Sequence, residues 1–329
     1  MKRWIHWLAA MGAATLLAAC GGGDDSTAPP PAPALGTLAQ EATSRGFSAL
    51  VAAADKAGLV GALSSSSSNL TVFAPTDAAF TTLATRLGFA SATAMVNALD
   101  GPTLAKILQY HVLPTKKSAA DLVAGGATQT QATLYDYKGS ASTLAVATTG
   151  GVRITDAVLN QATVTTADVP ASNGVIHVID SVLVPPGVLT VVQMAQANPT
   201  FSTLVQAVVT ANLATTLSGS GPFTVFAPTD DAFTATLTEL SLTPAQLLAS
   251  PDLAGILTYH VLAGAVSAAD VVALPKPAAV TTLQGSTFTV DANLKITDGR
   301  ARTTNLVATD VFASNGVIHV IDNVLLPAP

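Results

Sequence analysis

The side chains best suited to chemistry in this 329-residue chain are histidines and carboxylates. His111, His177, His260 and His319 lie in its main part, and a fifth, His6, sits near the start. A histidine beside Asp77 or Asp180 would have the composition of a metal site or a general base. The spacing does not assemble either. No His-Glu-x-x-His occurs, and a single cysteine rules out a thiolate cluster. In a strand, alternate residues share a face. His177 therefore goes with Val175 and Ile179, while Asp180 goes with Ile176 and Val178 on the other side. His177 and its later counterpart His319 read as hydrogen-bonded core or half-core residues. Ser172-Asn173 precedes His177, but no Gly-x-Ser-x-Gly elbow exists, and serine before a turn glycine is ordinary. Glu41 and Glu239 are the only glutamates and are not equivalent; Asp230-Asp231 has Asp77-Ala78 as its counterpart. A positioned carboxylate pair for glycoside hydrolysis is therefore missing. Gly125-Gly126 and Gly150-Gly151 fall in loops of a β region and make no phosphate cradle. The expectation is no catalytic residue, no metal site, no cofactor, and a chain that is not an enzyme.

The elements that must position these residues come twice. Thr71 to Asp77 (Thr-Val-Phe-Ala-Pro-Thr-Asp) returns unchanged as Thr224 to Asp230. Tyr110 to Leu113 returns as Tyr259 to Leu262, Ser118 to Asp121 as Ser267 to Asp270, and Ala171 to Asp180 as Ala313 to Asp322. The offset drifts from 153 to 149 to 142, the mark of length changes in surface loops. Pro185-Pro186-Gly187 ends the first copy. Apolar spacing predicts a helix over 47–63, with a counterpart from Phe201. Leu70 to Phe73 predicts a strand stopped by Pro75, and Thr76-Asp77 and Thr229-Asp230 are candidate helix caps. Short helices are expected over 104–108 and 253–257. Strands are expected over 144–147, 152–155, 162–165 and 174–183, the last entered by an Asn173-Gly174 turn. Helices first and strands later give an α+β class.

The start of the chain differs in kind. Lys2 and Arg3 precede the short apolar stretch from Trp4 to Ala19, as in a secretory signal. Leu17-Ala18-Ala19-Cys20 resembles the bacterial lipobox, which implies cleavage after residue 19 and lipid attachment at Cys20. Residues 20–34 form a Gly/Pro-rich tether, and Gly21 in place of Asp favours the outer membrane by the same resemblance. The remaining 12 basic residues against 20 acidic ones give a formal charge of −8. That balance, without a basic cluster, argues against nucleic acid and leaves membrane contact to the lipid alone. No second cysteine is present to form an internal disulfide.

The repeated blocks, with Asn-Gly-Val-Ile-His-Val-Ile-Asp at 173–180 and 315–322, resemble the fasciclin domain family. The resemblance implies two tandem wedge-shaped β-sandwich domains with helices packed along the sheets, over 35–186 and 187–329. It also implies extracellular adhesion, with a cell-surface or matrix protein or glycan as partner. The Tyr-His pair is implicated in receptor binding in animal members, so Tyr110, His111, Tyr259 and His260 become the candidate binding residues. The alternative is that these rings cap the core while their polar ends find partners. The expected function is a lipid-anchored adhesion or binding module, periplasmic or at the cell surface; the alternatives are a structural envelope spacer and a small-molecule or glycan carrier.

Overall fold

A computed structural model describes residues 34–329 of the chain. The expected signal at 1–19, Cys20 and all but the last residue of the tether lie outside the described residues.

Each repeat opens with a helix that its own sequence caps. Thr37 accepts from the Gln40 amide while Gln40 reaches back, starting Leu38–Ser44; Thr190 and Gln193 do the same for Val191–Ala197. The helix expected over 47–63 is two helices, Ser48–Lys56 and Val60–Ser64. Gly58, at φ 69°, turns the chain between them. Leu70–Pro75 and Phe223–Pro228 are fully formed strands, one residue type after another buried behind the first. Each pairs in parallel with the closing strand of its repeat, Gly174–Ile179 or Gly316–Ile321. The register sets Phe73 opposite His177 and Phe226 opposite His319. All six residues of both closing strands are buried. Continuous burial of this kind is what a central parallel pair requires.

In the first repeat one seven-stranded sheet runs in the order Val112–Leu113, Leu70–Pro75, Gly174–Ile179, Gln161–Ala171, Arg153–Thr155, Ser140–Ala147, Thr128–Tyr137. The second repeat divides the same elements into two four-stranded sheets. Helices cover the central strands, and the α+β expectation holds. Several strands differ in extent from those expected, among them Ser140–Ala147 against 144–147 and Gln161–Ala171 against 162–165. The closing strand stops at Ile179, not at residue 183; the Leu183 and Val184 amides are taken by the His111 and Asp156 side chains and not by a neighbouring strand. Thr128–Tyr137, a ten-residue strand, was not expected at all; Gln131 and Thr133 on its buried face and Leu134 on its exposed one hide the alternation.

The repeats meet through a shared apolar cluster that includes Val158, Val182 and Val184 from the first and Leu189, Met194 and Phe201 from the second. Tyr135 donates its hydroxyl to the Pro186 carbonyl at 3.0 Å. Tyr137 lies 5.8 Å from the Phe312 ring, and the Lys138 ammonium sits 4.6 Å above that ring. Gly187 is required here. Its φ is 73°, and a Cβ would come within 2.2 Å of the Tyr137 ring.

Candidate functional site: the Tyr-His centres

The Gly101–Tyr110 helix ends by delivering Tyr110 and His111 into the interior, and Leu253–Tyr259 does the same for Tyr259 and His260. All four are at most 2% exposed. As folded, none offers an atom to a macromolecular partner, so the side chains expected at a binding surface are core residues. The physical reason is that every polar end is already matched. Tyr110 donates to the Thr143 carbonyl at 3.1 Å and Tyr259 to the Thr287 carbonyl at 2.9 Å. His111 Nδ1–H donates to the Ile107 carbonyl at 2.8 Å, and its Nε2 accepts from the Leu183 amide at 2.9 Å. His260 repeats this with Ile256 at 2.8 Å and Leu325 at 2.8 Å. An acceptor at Nε2 and a donor at Nδ1 define a neutral ring. Burial holds both rings at about 4, well below the ordinary imidazole range. It also pushes the Tyr110 and Tyr259 hydroxyls up.

Next to each histidine sits a carboxylate that the motif analysis did not single out. Asp156 accepts from the amides of Val158 (3.0 Å) and Asn160 (2.9 Å) through Oδ1, and from Val184 (2.9 Å) through Oδ2. Burial lifts it to about 7, with those amides pulling the other way. Asp298 holds the Arg300, Arg302 and Leu326 amides in the same way. In the second repeat Arg302 adds a 3.4 Å ion pair to Asp298, where the first repeat has Asn160. Leu183-Val184 and Leu325-Leu326 are thus clamped by a histidine and an aspartate each. The sequence carried a signal for this: Ile154-Thr155-Asp156 recurs as Ile296-Thr297-Asp298.

His177 is fully buried; it accepts from the Asp168 amide (3.2 Å) and donates to the Lys117 carbonyl (2.9 Å). His319 makes the equivalent pair with Asp310 and Val266. Asp180 turns outward and accepts from Thr163, away from His177. The Ser172 amide donates to the Gly36 carbonyl at the entry of the first helix. Asp77 caps a different helix from the one it begins: its carboxylate accepts from the Ala49 amide at 2.9 Å and from Ser48. Asp230 does likewise with Thr203 (2.8 Å) and Ser202 (2.6 Å). Glu41 lies near Arg45, and Glu239 near Arg302, on unrelated surfaces. Among the described residues no three His, Cys, Asp or Glu side chains converge as metal ligands.

Both centres also face an apolar cleft under the N-terminal helices. In the first repeat Leu38, Leu50, Leu63, Val72 and His111 line about 70 Å³; in the second Val191, Leu204, Leu217, Val225 and His260 line about 30 Å³. The lining is mostly aliphatic, with Thr43 beside the imidazole in the first cleft and Phe226 beside it in the second.

Residues 45–185 and 199–327 match the fasciclin domain. Protein sll1483 of Synechocystis sp. is 45% identical over 145 residues, covering 42% of this chain and 74% of that protein. The transforming growth factor-beta-induced protein ig-h3 of Sus scrofa is 35% identical over 174 residues, 51% of this chain but only 24% of ig-h3. The chain also aligns over 87% of its length with 98% of a domain pair from the insect cell adhesion molecule fasciclin I, at 21% identity and a TM-score of 0.43. The match through both repeats makes this chain a member of the fasciclin domain family, carrying two tandem copies of the domain.

Proposed function

We propose that this chain is an exported adhesion or binding module, anchored through lipid on Cys20 and recognising cell-surface or extracellular polymers. The observation that carries the reading is that two fasciclin domains account for nearly all of the described chain, while their buried histidines and aspartates are consumed in holding backbone. Recognition then belongs to outer surfaces. Any role of Tyr110, His111, Tyr259 and His260 is indirect, through the shape of the surface above them. The test couples residues 35–329 to beads and counts attachment to kin cells, foreign cells and matrix polymers. Attachment that soluble protein competes away is expected; binding no greater than that of albumin-coated beads would end the proposal. The anchor is checked separately by the mass of the mature amino terminus, with Cys20→Ala expected to release the protein from membranes. The core shared by the repeats favours a second reading, a stiff envelope spacer. A stable envelope complex without cell attachment would select it.

A further inference from the structure

The helices beside the closing strand form the same groove in both repeats, and the two grooves differ in what fills them. In the second repeat Phe233, Leu240, Leu247, Ile256, Val324 and Leu326 form the apolar floor of an open volume of about 560 Å³, whose lining also includes the polar Thr236, Gln246, Ser250, Asp252 and Arg300. Their counterparts in the first, Phe80, Leu87, Met95, Ile107, Val182 and Val184, surround only about 10 Å³. The first groove is closed by the segment leading into the second repeat. Leu189 completes its wall, and Met194 and Ala197 of the following helix are buried. Arg86 Nη1 donates to the Ala197 carbonyl at 3.0 Å, fixing the end of that helix. The effect shows in exposure. Val96 and Ile107 are buried, whereas their counterparts Leu248 and Ile256 are half-buried, and Leu242 at the rim is 39% exposed. Among the described residues nothing covers this second groove.

We infer that the groove of the second repeat is a docking site for the leading segment of a fasciclin-type repeat in a different protein chain. The filled groove supplies the template: a bulky aliphatic residue enters first, followed by a short helix with an uncharged, apolar face. A second copy of this chain does not meet that description. Its own first helix places Gly36, Glu41, Ser44 and Arg45 where Leu189, Met194, Ala197 and Asn198 stand. Gly36 lacks the aliphatic side chain that Leu189 brings to the first groove, and Glu41 and Arg45 are charged where Met194 and Asn198 are not. The rim refines the partner further. Glu239 replaces Arg86, and Arg302 holds it at 2.7 Å. With Glu239 bound by Arg302, the contact that Arg86 makes to the end of the seated helix has no counterpart here, so the partner's helix end must be satisfied by its own side chains. The inference stands apart from adhesion, because its test uses no cells and no matrix.

The test converts the chain into its own partner. In the full chain Gly36→Leu, Glu41→Met and Arg45→Asn give the first helix the pattern of the segment that fills the first groove, at exposed or half-exposed positions. Sedimentation velocity is then run over increasing concentration, with circular dichroism as the check on folding. The expected result is that the wild type stays monomeric, the converted chain forms head-to-tail oligomers, and adding Leu242→Asp to the converted chain returns it to monomer. Leu242 is exposed enough for that change to spare the fold. A converted chain that folds but stays monomeric overturns the inference, as do oligomers that persist with Leu242→Asp. Wild-type association that depends on Leu242 would make a second copy the occupant and overturn the assignment to another protein.

Discussion

His111 and His260 enter the fold as neutral rings, and this gives the molecule a definite response to acid. Each is held at about 4 when folded, against roughly 6.5 when unfolded. Between those values the unfolded chain binds protons that the folded chain does not. The stability these rings contribute is complete above about 6.5 and is lost as the pH falls toward 4, on the order of 3 kcal/mol per ring. Asp156 acts in the opposite sense. Raised to about 7, it binds a proton in the folded state that the unfolded chain gives up near 4, and its contribution is lost as the pH rises through 7. Two histidines outweigh one carboxyl over pH 4 to 6.5, so stability rises with pH there. The urea midpoint is expected to be clearly lower at pH 4.5 than at 6.5, and His260→Gln is expected to flatten that slope. A wild-type midpoint that does not move between the two pH values would contradict the neutral-ring assignment. The histidines of the Asn-Gly-Val-Ile-His blocks were legible as core residues from strand alternation, whereas Tyr110, His111, Tyr259 and His260 were placed at a surface and are buried. What no local pattern could supply was the partners, since His177 meets a backbone carbonyl 60 residues away at Lys117.

Among the elements, the N-terminal helices are held by side chains distant in sequence. Asp77 caps Ser48–Lys56 from 28 residues away. Asn173 holds the first helix from 135 residues away, accepting from the Leu38 amide at 2.8 Å and donating to the Leu63 and Ser65 carbonyls. Asp77→Ala is expected to cost roughly 1–2 kcal/mol, the range for lost helix caps. Amide exchange should rise across residues 48–56 and not in the equivalent helix of the second repeat; equal exchange in both would show that the cap is not what holds this helix. Thr76-Asp77 was recognisable as a capping sequence, and Thr76 does cap the helix that follows. Which helix Asp77 serves could not be read locally, since a carboxylate can cap any amide that tertiary structure brings to it. Similarly, Asn173-Gly174 was legible as a turn. The need for Gly174 comes instead from a backbone neighbour: a Cβ there would lie 2.3 Å from the Leu70 carbonyl. The 161–171 strand ran past its expected end because bulges between Val164 and Val169 break the alternation that marks a strand.

At the scale of the whole molecule, the duplication fixed the architecture in outline, but not the junction. Pro185-Pro186-Gly187 looked like a break between domains. The structure makes it a seam, closed by Tyr135, Tyr137, Phe312 and a shared apolar cluster. Tyr137 and Phe312 are not equivalent in the repeat alignment, so comparison of the copies gave no sign that they meet. The described unit is therefore expected to unfold in one calorimetric transition. Phe312→Ala removes a ring contact worth about 1 kcal/mol and is expected to split that transition in two; two transitions already present in the wild type would show that the seam does not couple the repeats.

The clamps at Leu183-Val184 and Leu325-Leu326 have a mechanical consequence. Under tension along the chain, the segment after each closing strand is not part of a ladder that shears as a whole. It peels, one amide at a time, from His111 and Asp156 or from His260 and Asp298. In the first repeat the peel is blocked at once, because the next residues are locked by Tyr135 and by the Gly187 amide on Phe312. In the second repeat the Arg302 guanidinium, bonded to the Val324 carbonyl and paired with Asp298, takes that load instead. The two repeats thus resist pulling by different devices, the first through hydrogen bonds that pin the following linker and the second through a guanidinium paired with a buried carboxylate, a pair that salt screens little.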